Sequence, residues 1–257
     1  MEEVTLLHGD CLEVIKSLSN QSIDLTVTSP PYDNLRNYNG YLFDFEGIAK
    51  ELYRVTKDGG VIVWIVGDAT INGSETGTSF KQALYFKEIG FNLHDTMIYQ
   101  KNNFANPSSN RYHQIFEFMF VLSKGKPKSF NPIKDRKNVC AGKSNWGTNK
   151  ARQKDGSFKE RPKKIVSEYG MRYNIWEFMT SKGFATKDNF AYSHPAIFPE
   201  KVAHDHIISW SNKGDTVLDC FLGSGTTGKI AKQLNRQFIG IEISKEYLEI
   251  AKTRIYG

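Results

Sequence analysis

The sequence predicts an α/β fold built on a mostly parallel sheet, and three observations support this prediction. Short apolar runs alternate along the chain with segments whose apolar residues recur at helical spacing. Residues 61–66 form an uninterrupted apolar run, which is typical of a strand buried on both faces of a parallel sheet. A glycine-rich turn at residues 220–225 joins a predicted strand to a predicted helix. Together these features indicate a Rossmann-like architecture.

The first half of the chain predicts a β-α-β-α-β succession. Val4 and Leu6 indicate a short strand, and Asp10 is placed to cap the helix that follows it. A second strand spans residues 23–28, where apolar and polar residues alternate. The other predicted elements of this half are a helix from Phe45 through Val55 that closes at Gly59-Gly60, a strand over 61–66, a helix from Phe80 to Ile89, and strands near 92–100 and 115–122.

The second half predicts the same alternation after a long interruption. Residues 126–164 break the periodicity and are interpreted as an insert on the sheet domain, extending to about Tyr192. A helix follows Pro199, since proline is favoured at helix N-termini. The remaining predicted elements are a strand over 216–219, a helix through Leu234, a strand over 238–242 and a final amphipathic helix capped by Ser244.

The positive charge of the chain is concentrated in the insert. The 257 residues carry a formal charge of +6, but residues 124–164 hold fourteen Lys and Arg against three acids, a net of +11 that leaves −5 for the rest. A solvated face or a disordered tract is the simpler interpretation of such a run. Phe130, Trp146 and Phe158 lie among the basic residues, however, and this mixture suits phosphate contacts and base stacking. Nucleic acid is therefore the expected partner, and the candidate nucleic-acid-binding residues are Lys134, Arg136, Lys137, Lys143, Lys150, Arg152 and Lys154.

Composition also excludes several classes of protein. No apolar run approaches the roughly 18 residues of a membrane span, and the acidic amino terminus is unlike a signal peptide, so a cytoplasmic protein is expected. Cys11, Cys140 and Cys220 are odd in number and lack metal-ligand spacing, which predicts free thiols. His204 and His206 stand at i and i+2, on different sides of a helix, and no metal is expected.

Ser29-Pro30-Pro31-Tyr32 forms a rigid turn after the second predicted strand. Each proline fixes its own φ and favours extended geometry in the residue before it, so the Ser29 and Pro30 carbonyls point in nearly fixed directions. The turn follows the carboxyl end of a strand, where open α/β sheets bind ligands. An ordinary Pro-Pro turn is the alternative, and these residues alone do not decide between the two.

The second constellation is a glycine-rich turn near the carboxyl terminus. Gly223, Gly225 and Gly228 have G-x-G-x-x-G spacing between a strand and a helix, and Glu242 ends the next strand. Such glycines let a ligand approach a helix N-terminus, and an acid at the next strand end accepts hydrogen bonds from ribose hydroxyls. An adenosine-containing cofactor is therefore predicted. The pattern by itself allows a nicotinamide or flavin cofactor, S-adenosylmethionine, or simply tight packing.

Considered together, the two constellations make the sequence resemble the DNA amino-methyltransferases, which methylate cytosine N4 or adenine N6 with S-adenosylmethionine. Residues 29–32 look like the catalytic motif of that family, and residues 219–227 look like its cofactor motif, with Cys220 where proline is frequent. The resemblance implies a Rossmann-like methyltransferase fold with a mostly parallel seven-stranded sheet and the circularly permuted motif order of the beta class. It divides the chain into a catalytic half (1–124), a basic target-recognition insert (125–192) and a cofactor-binding half (193–257).

The resemblance also implies a role for each motif residue. The Ser29 hydroxyl and the Pro30 carbonyl would accept the hydrogens of an exocyclic amino group, and Tyr32 would stack on a base flipped out of the duplex. Asp10 would contact the adenine of the cofactor, and Phe198 would line its methionine end. The predicted catalytic residues are Ser29, Pro30, Pro31 and Tyr32, and the predicted cofactor-binding residues are Asp10, Phe198, Asp219, Phe221, Gly223, Ser224, Gly225, Thr226, Thr227 and Glu242.

Several alternatives stay open at this stage. The serine that leads the catalytic motif favours cytosine N4 slightly over adenine N6. Methylation at cytosine C5 is disfavoured, because that chemistry normally uses a Pro-Cys pair and the sequence has none. An RNA or protein-amide methyltransferase, a nicotinamide-dependent oxidoreductase and an inactive DNA-binding module are more distant. The expected partners are double-stranded DNA and, by resemblance to restriction-modification enzymes, a cognate endonuclease, with the chain acting as a monomer or homodimer.

Overall fold

The computed structural model describes residues 3–31, 43–104, 107–144, 150–160, 163–180, 183–193, 197 and 199–257. The helices are α1 (Cys11–Lys16), α2 (Phe45–Val55), α3 (Thr78–Glu88), α4 (Glu200–Trp210), α5 (Thr226–Gln233) and α6 (Lys245–Tyr256), with a 3-10 helix at Asn189–Ser193. The strands are β1 (Val4–His8), β2 (Ile23–Thr28), β3 (Thr56–Val66), β4 (Thr70–Ile71), β5 (Ser74–Glu75), β6 (Asn92–Lys101), β7 (Phe116–Ser123), β8 (Arg136–Lys137), β9 (Lys150–Arg152), β10 (Phe158–Glu160), β11 (Tyr169–Gly170), β12 (Ile175–Phe178), β13 (Thr216–Asp219) and β14 (Gln237–Glu242).

The central sheet is mostly parallel, as predicted. Its eight strands follow the order β1-β14-β13-β2-β3-β7-β6-β12. Strand β7 is antiparallel to both of its neighbours, and every other neighbouring pair is parallel. The fold class is therefore the α/β, Rossmann-like one that the sequence predicted.

The sheet has one strand more than the seven expected. The additional strand is β12, which pairs in parallel with β6 from Ile175 opposite Ile98 to Phe178 opposite Lys101. Trp176 and Phe178 are buried while their neighbours are exposed, so the strand has the alternation of a sheet edge. Sequence reasoning assigned this segment to the insert because the basic composition before it concealed a strand of only four residues.

Helix α2 shows why the helices form where they do. Asp44 caps its amino end by accepting a hydrogen bond from the Gly47 backbone at 2.9 Å. Ile48, Leu52 and Val55 lie on one side at helical spacing and are fully buried in the core beneath the sheet. Among the described residues, no helix has both the length and the apolar character that crossing a membrane requires.

The strand order places four strand ends at one edge of the sheet. Strands β1, β14, β13 and β2 are neighbours and run in the same direction, so their carboxyl ends lie side by side. From β13 the chain crosses over to β14, while from β2 it crosses over to β3 on the opposite side. The boundary between β13 and β2 is thus a topological switch point, where open α/β sheets bind ligands.

Residues 132–173 form a second compact unit. It contains two small antiparallel pairs, β8 with β11 and β9 with β10. Arg172 forms an ion pair with Asp135, and the Arg136 guanidinium lies 4.6 Å from the centre of the Tyr173 ring. The unit carries twelve Lys and Arg against four acids, a net charge of +8. It lies within the insert predicted at 125–192, whose role in target recognition is still a prediction.

Two local predictions differ from the structure. The segment between β3 and α3, for which the sequence predicted neither strand nor helix, contains the hairpin β4-β5, whose turn places Asn72 and Gly73 at positive φ. Strand β3 begins at Thr56 rather than Val61, because the chain enters the sheet directly after α2. Both differences concern short polar segments in which periodicity is a weak signal.

Candidate active site

A buried hydrogen bond joins the two motifs that sequence reasoning singled out. The Thr28 hydroxyl, directly before Ser29, donates to Asp219 Oδ1 at 2.7 Å, although the two residues are 191 positions apart. The bond forms because β2 and β13 are parallel neighbours, with Leu25 opposite Val217 and Thr26 opposite Leu218. The predicted catalytic turn and the predicted cofactor loop therefore begin from adjacent strand ends.

Among the carboxyl groups of the candidate site, Asp219 has the most strongly shifted pKa. It is 1% exposed, and burial raises its pKa to about 6 even though several donors favour the ionised form. Those donors are the hydroxyls of Thr227 and Thr28 and the backbone N–H of Phe221, which lies 3.1 Å from Oδ1. Asp219 thus accepts hydrogen bonds from the catalytic strand and from its own loop, and it holds the two together.

The structure describes three of the four predicted catalytic residues. Ser29 and Pro31 are partly exposed, whereas Pro30 is buried. All three follow β2 at the carboxyl edge of the sheet, beside the β13 loop. Tyr32 lies outside the described residues, as does the predicted cofactor residue Phe198.

The glycine-rich loop is shaped by packing within the protein. Gly225 has a φ of +82° and directly precedes α5, and a Cβ atom there would lie 2.8 Å from the Ala251 Cβ of α6. At Gly228, a Cβ atom would lie 2.5 Å from side-chain atoms of Ile255 and Phe238. Two glycines of the motif therefore allow α5 to pack against α6 and β14, which was the alternative interpretation of the pattern.

Glu242 lies beside the loop, as predicted for the acid at the end of the next strand. Its Oε2 accepts a hydrogen bond from the Gly223 backbone at 2.8 Å, and its Oε1 accepts one from Ser244 N at 2.9 Å. Burial raises its pKa above the ordinary value. In this arrangement the carboxylate supports the loop and retains lone pairs for further donors.

Asp10 follows the carboxyl end of β1, whose last residue, His8, pairs with Glu242 of β14. Its Oδ1 accepts a hydrogen bond from the Glu13 backbone at 3.1 Å, so it caps α1 as the sequence indicated. The side chain is partly exposed. Capping uses one of its acceptor positions and leaves others for a ligand.

The remaining predicted cofactor residues fall into two groups. Phe221 is partly buried, and its ring lies 5.7 Å from that of Phe43 in an edge-on arrangement. Ser224, Thr226 and Thr227 are at most 4% exposed and form or follow the loop. The structure thus brings all the described cofactor candidates to one edge of the sheet.

The predicted DNA-binding residues all belong to the 132–173 unit. Six of them have exposed side chains. Arg136 is the exception, because its Nε donates to the Met171 carbonyl at 3.0 Å and its guanidinium stacks on Tyr173. Arg136 therefore has a structural role within the unit in addition to the contact predicted for it.

Sequence reasoning overlooked two residues of the site. Thr28 links the motifs, and its only signal was a hydroxyl at the end of an apolar strand. Arg254 is buried behind the cofactor loop and donates to Ser224 and Thr226. Its signal was a charged residue near Ala251 and Ile255 on the apolar side of the last helix.

The chemistry of this edge fits an adenosine-containing cofactor. Two carboxylates, from Asp10 and Glu242, stand at neighbouring strand ends as acceptors for hydroxyl or amino groups. The first turn of α5 follows Gly225 and has no side-chain cap, so its backbone N–H groups are not occupied by a capping side chain. The site lies at the switch point of the sheet.

Comparison with known proteins defines the class. The chain matches the DNA methylase family model N6_N4_Mtase over residues 23–253, which is most of its length, and it belongs to that family. It is an S-adenosylmethionine-dependent DNA amino-methyltransferase of the restriction-modification type.

Individual relatives cover nearly all of the chain. It is 57% identical over 241 residues to the orphan methyltransferase M.BamHII of Bacillus amyloliquefaciens, covering 93% of this chain and 91% of that protein. Over 263 residues it is 33% identical to the type II methyltransferase M.HpaI of Haemophilus parainfluenzae, covering 97% and 73% respectively. Over 270 residues it is 27% identical to the DNA adenine methyltransferase YhdJ of Escherichia coli strain K12, covering 99% and 83%.

Solved structures show the same fold. The cytosine-N4-specific PvuII DNA methyltransferase matches with a TM-score of 0.71 at 22% identity, covering 100% of this chain and 88% of that one. The M1.HpyAVI–SAM complex matches with a TM-score of 0.66 at 24% identity, covering 99% of this chain and 100% of that one. At these identities the likeness concerns the fold.

Proposed function

We propose that the chain methylates the exocyclic amino group of a base flipped from duplex DNA, with Ser29 and Pro30 as the acceptors that activate the amine. The observation that carries the proposal is the hydrogen bond between Thr28 and Asp219, which sets the Ser-Pro-Pro turn beside the cofactor loop. Proximity of the amine to the methyl donor supplies much of the rate enhancement in such a reaction.

The proposed chemistry follows from the weakness of the nucleophile. The lone pair of an exocyclic amine is delocalised into the ring, and the nitrogen attacks well only as it becomes more tetrahedral. The Ser29 hydroxyl and the Pro30 carbonyl accept hydrogen bonds from the two amino hydrogens and favour that change. As the N–CH3 bond would form, the S–CH3 bond would break to leave the neutral thioether, and the amine would release one proton to solvent. Bound S-adenosylmethionine supplies an electrophilic methyl group on its sulfonium. Tyr32, which lies outside the described residues, stacks on the flipped base.

Cofactor binding is proposed for the residues that share the carboxyl edge. Asp10 and Glu242 accept hydrogen bonds from the nucleoside, and the loop at 223–227 with the first turn of α5 lies against it. Phe198, also outside the described residues, lines the methionine end. Asp219 supports cofactor binding indirectly, because its hydrogen bonds fix the loop to β2.

The base is proposed to be cytosine, methylated at N4. A serine at the head of the motif supports this assignment, and adenine N6 is the alternative. Relatives and fold neighbours named above include both a DNA adenine methyltransferase and a cytosine-N4-specific enzyme. Digestion of methylated DNA to nucleosides, followed by mass spectrometry of the modified nucleoside, distinguishes cytosine N4 from adenine N6 methylation. Recovery of 5-methylcytosine would refute the mechanism.

The partner and the surroundings follow from the same proposal. Double-stranded DNA contacts the exposed basic residues of the 132–173 unit, and the enzyme works in the cytoplasm beside its substrate. The 57% identical relative is named an orphan methyltransferase and others are named type II methyltransferases. Pairing with a cognate endonuclease and a monomeric or homodimeric state are predictions that co-purification and light scattering test.

The test of the catalytic role is substitution of Ser29. We expect Ser29→Ala to lower kcat for methyl transfer from tritiated S-adenosylmethionine to duplex DNA by about 100-fold or more, because one preorganised acceptor is lost. Cofactor binding, measured by calorimetry, should change little. Ser22→Ala, at the residue before β2, removes a hydroxyl that donates to the exposed Ser19 carbonyl and serves as the control. Equal activity in wild type and Ser29→Ala would contradict the assignment.

A further inference from the structure

Arg254 is a charged side chain enclosed within the protein. It lies in α6, and its side chain is 0% exposed in both ion pairs that it forms. A guanidinium cannot be neutralised by losing its proton, so its burial requires acceptors for its N–H groups. The identity of those acceptors indicates what the residue does.

One side of the guanidinium faces the cofactor loop. Nη1 donates to the Ser224 carbonyl at 3.0 Å, to the Ser224 hydroxyl at 3.0 Å and to the Thr226 hydroxyl at 2.9 Å. Both residues are nearly fully buried. These hydrogen bonds fix the buried part of the loop between Gly223 and the first turn of α5.

The other side faces the stretch that leads into α4. Nε donates to Asp188 Oδ2 at 3.0 Å, and Nη2 donates to Glu200 Oε1 at 2.9 Å and to the Thr186 hydroxyl at 3.2 Å. Residues 185 and 186 are themselves bound to the first residue of α4, because Glu200 N donates to the Ala185 carbonyl at 3.0 Å and the Thr186 hydroxyl donates to Glu200 at 2.6 Å.

The charges around Arg254 balance within one cluster. Lys229 of α5 donates to Asp188 at 2.7 Å and to Glu200 at 2.9 Å, so two cations face two carboxylates. Burial opposes ionisation of both carboxyls, but the hydrogen bonds they accept outweigh it and hold the pKa of Asp188 and of Glu200 below the ordinary values. The cluster is therefore ionised at neutral pH.

We propose that Arg254 is a positioning residue for cofactor binding: its planar guanidinium fixes the 223–227 loop in one arrangement with Thr186, Asp188 and Glu200. This inference rests on the proposed cofactor role of the loop. A lysine keeps the charge, but its single ammonium cannot reach acceptors on both sides at once. Arg254→Lys should therefore loosen the site without leaving a carboxylate unpaired.

The experiment compares two buried arginines. We expect Arg254→Lys to raise the Kd for S-adenosylmethionine, measured by calorimetry, and its KM by about tenfold or more, while kcat at saturating cofactor changes less than threefold. The matched control is Arg236→Lys. Arg236 is 7% exposed and donates to Ser211 and to the Leu234 carbonyl, away from the cofactor loop. Arg236→Lys should lower Tm and leave the cofactor Kd unchanged.

The outcomes separate the two proposals. Failure of the wild-type protein to bind S-adenosylmethionine would refute the proposed site itself. Unchanged cofactor Kd in Arg254→Lys, with a fall in Tm like that of Arg236→Lys, would show a purely structural arginine and overturn the positioning role. If Arg254→Lys does not fold, Asp188→Asn removes the charge of one partly exposed partner of the Arg254 guanidinium. Asp188→Asn should raise the cofactor Kd about threefold, and an unchanged Kd would again overturn the inference.

Discussion

At the scale of single residues, two threonines of β2 have opposite surroundings. Thr28 and Thr26 are both 0% exposed. The Thr28 hydroxyl donates to Asp219, whereas Thr26 Oγ1 has no hydrogen-bond partner among the described residues. A buried hydroxyl without a partner destabilises the fold, and one that bonds to a carboxylate stabilises it. The pair isolates the contribution of the bond between the two motifs.

Thr28→Val should therefore destabilise the fold, whereas Thr26→Val should not. We expect Thr28→Val to lower the free energy of unfolding by about 1–3 kcal/mol, because Asp219 loses a donor while still buried. Thr26→Val should be neutral or raise it by about 1 kcal/mol. Urea unfolding followed by circular dichroism measures both values. A similar loss of stability in the two variants would mean that the hydrogen bond from Thr28 to Asp219 does not account for the effect.

At the scale of elements, α5 and α6 meet at the glycines of the cofactor motif. The backbone of Gly225 has the positive φ of the left-handed region, and Gly225 also lies against Ala251, where the two helices approach closely. Gly214 has nearly the same φ, +83°, but apart from its chain neighbours no described residue has an atom within 4 Å of the position a Cβ would take. The two glycines therefore differ in packing alone.

Gly225→Ala should cost more stability than Gly214→Ala. Both substitutions force alanine into the left-handed region, at a cost of about 1–2 kcal/mol. Gly225→Ala must also push α6 away from α5, and overpacking adds about 1–3 kcal/mol. Thermal unfolding measures the difference, and calorimetry should show weaker S-adenosylmethionine binding only for Gly225→Ala. Equal losses of stability in the two variants would show that the close approach to Ala251 contributes little to the cost of the substitution.

At the scale of the whole molecule, charge is unevenly distributed. Residues 132–173 carry +8, which leaves −2 for the rest of the chain. Lys143 and Lys154 are exposed, and neither forms an ion pair among those described. Exposed cations without an ion-pair partner among the described residues suit phosphate contacts, whose strength falls with salt.

The double variant Lys143→Ala/Lys154→Ala should weaken DNA binding through its salt dependence. If each lysine neutralises one phosphate, the slope of log K against log salt should become less negative by about 0.9 per residue. Fluorescence anisotropy with labelled duplex between low and moderate salt measures the slope. The control is Lys16→Ala/Lys252→Ala, which removes two lysines of helical ion pairs in the other unit. Identical slopes for the two double variants would contradict a DNA-contacting role of the basic unit.

Much of the fold and the composition of the candidate site were predictable from the sequence. Strands 23–28 and 216–219 were predicted with the bounds that the structure has, because alternation and flanking turns mark them clearly. Ser244 caps the last helix as expected. Short edge strands such as β12 were not predicted, because four residues give too little periodicity to stand out from the basic segment before them.

The sequence by itself determined the candidate residues for the chemistry: a Ser-Pro-Pro-Tyr motif, a glycine-rich segment and a basic segment between them. Only the tertiary structure decided how they are joined. The bond from Thr28 to Asp219 and the fork of Arg254 connect residues far apart in the chain, and pairing of distant strands and helices is not encoded in local periodicity. Long-range contacts arise from burial of the whole core, so the geometry of the site follows from the sheet rather than from either motif.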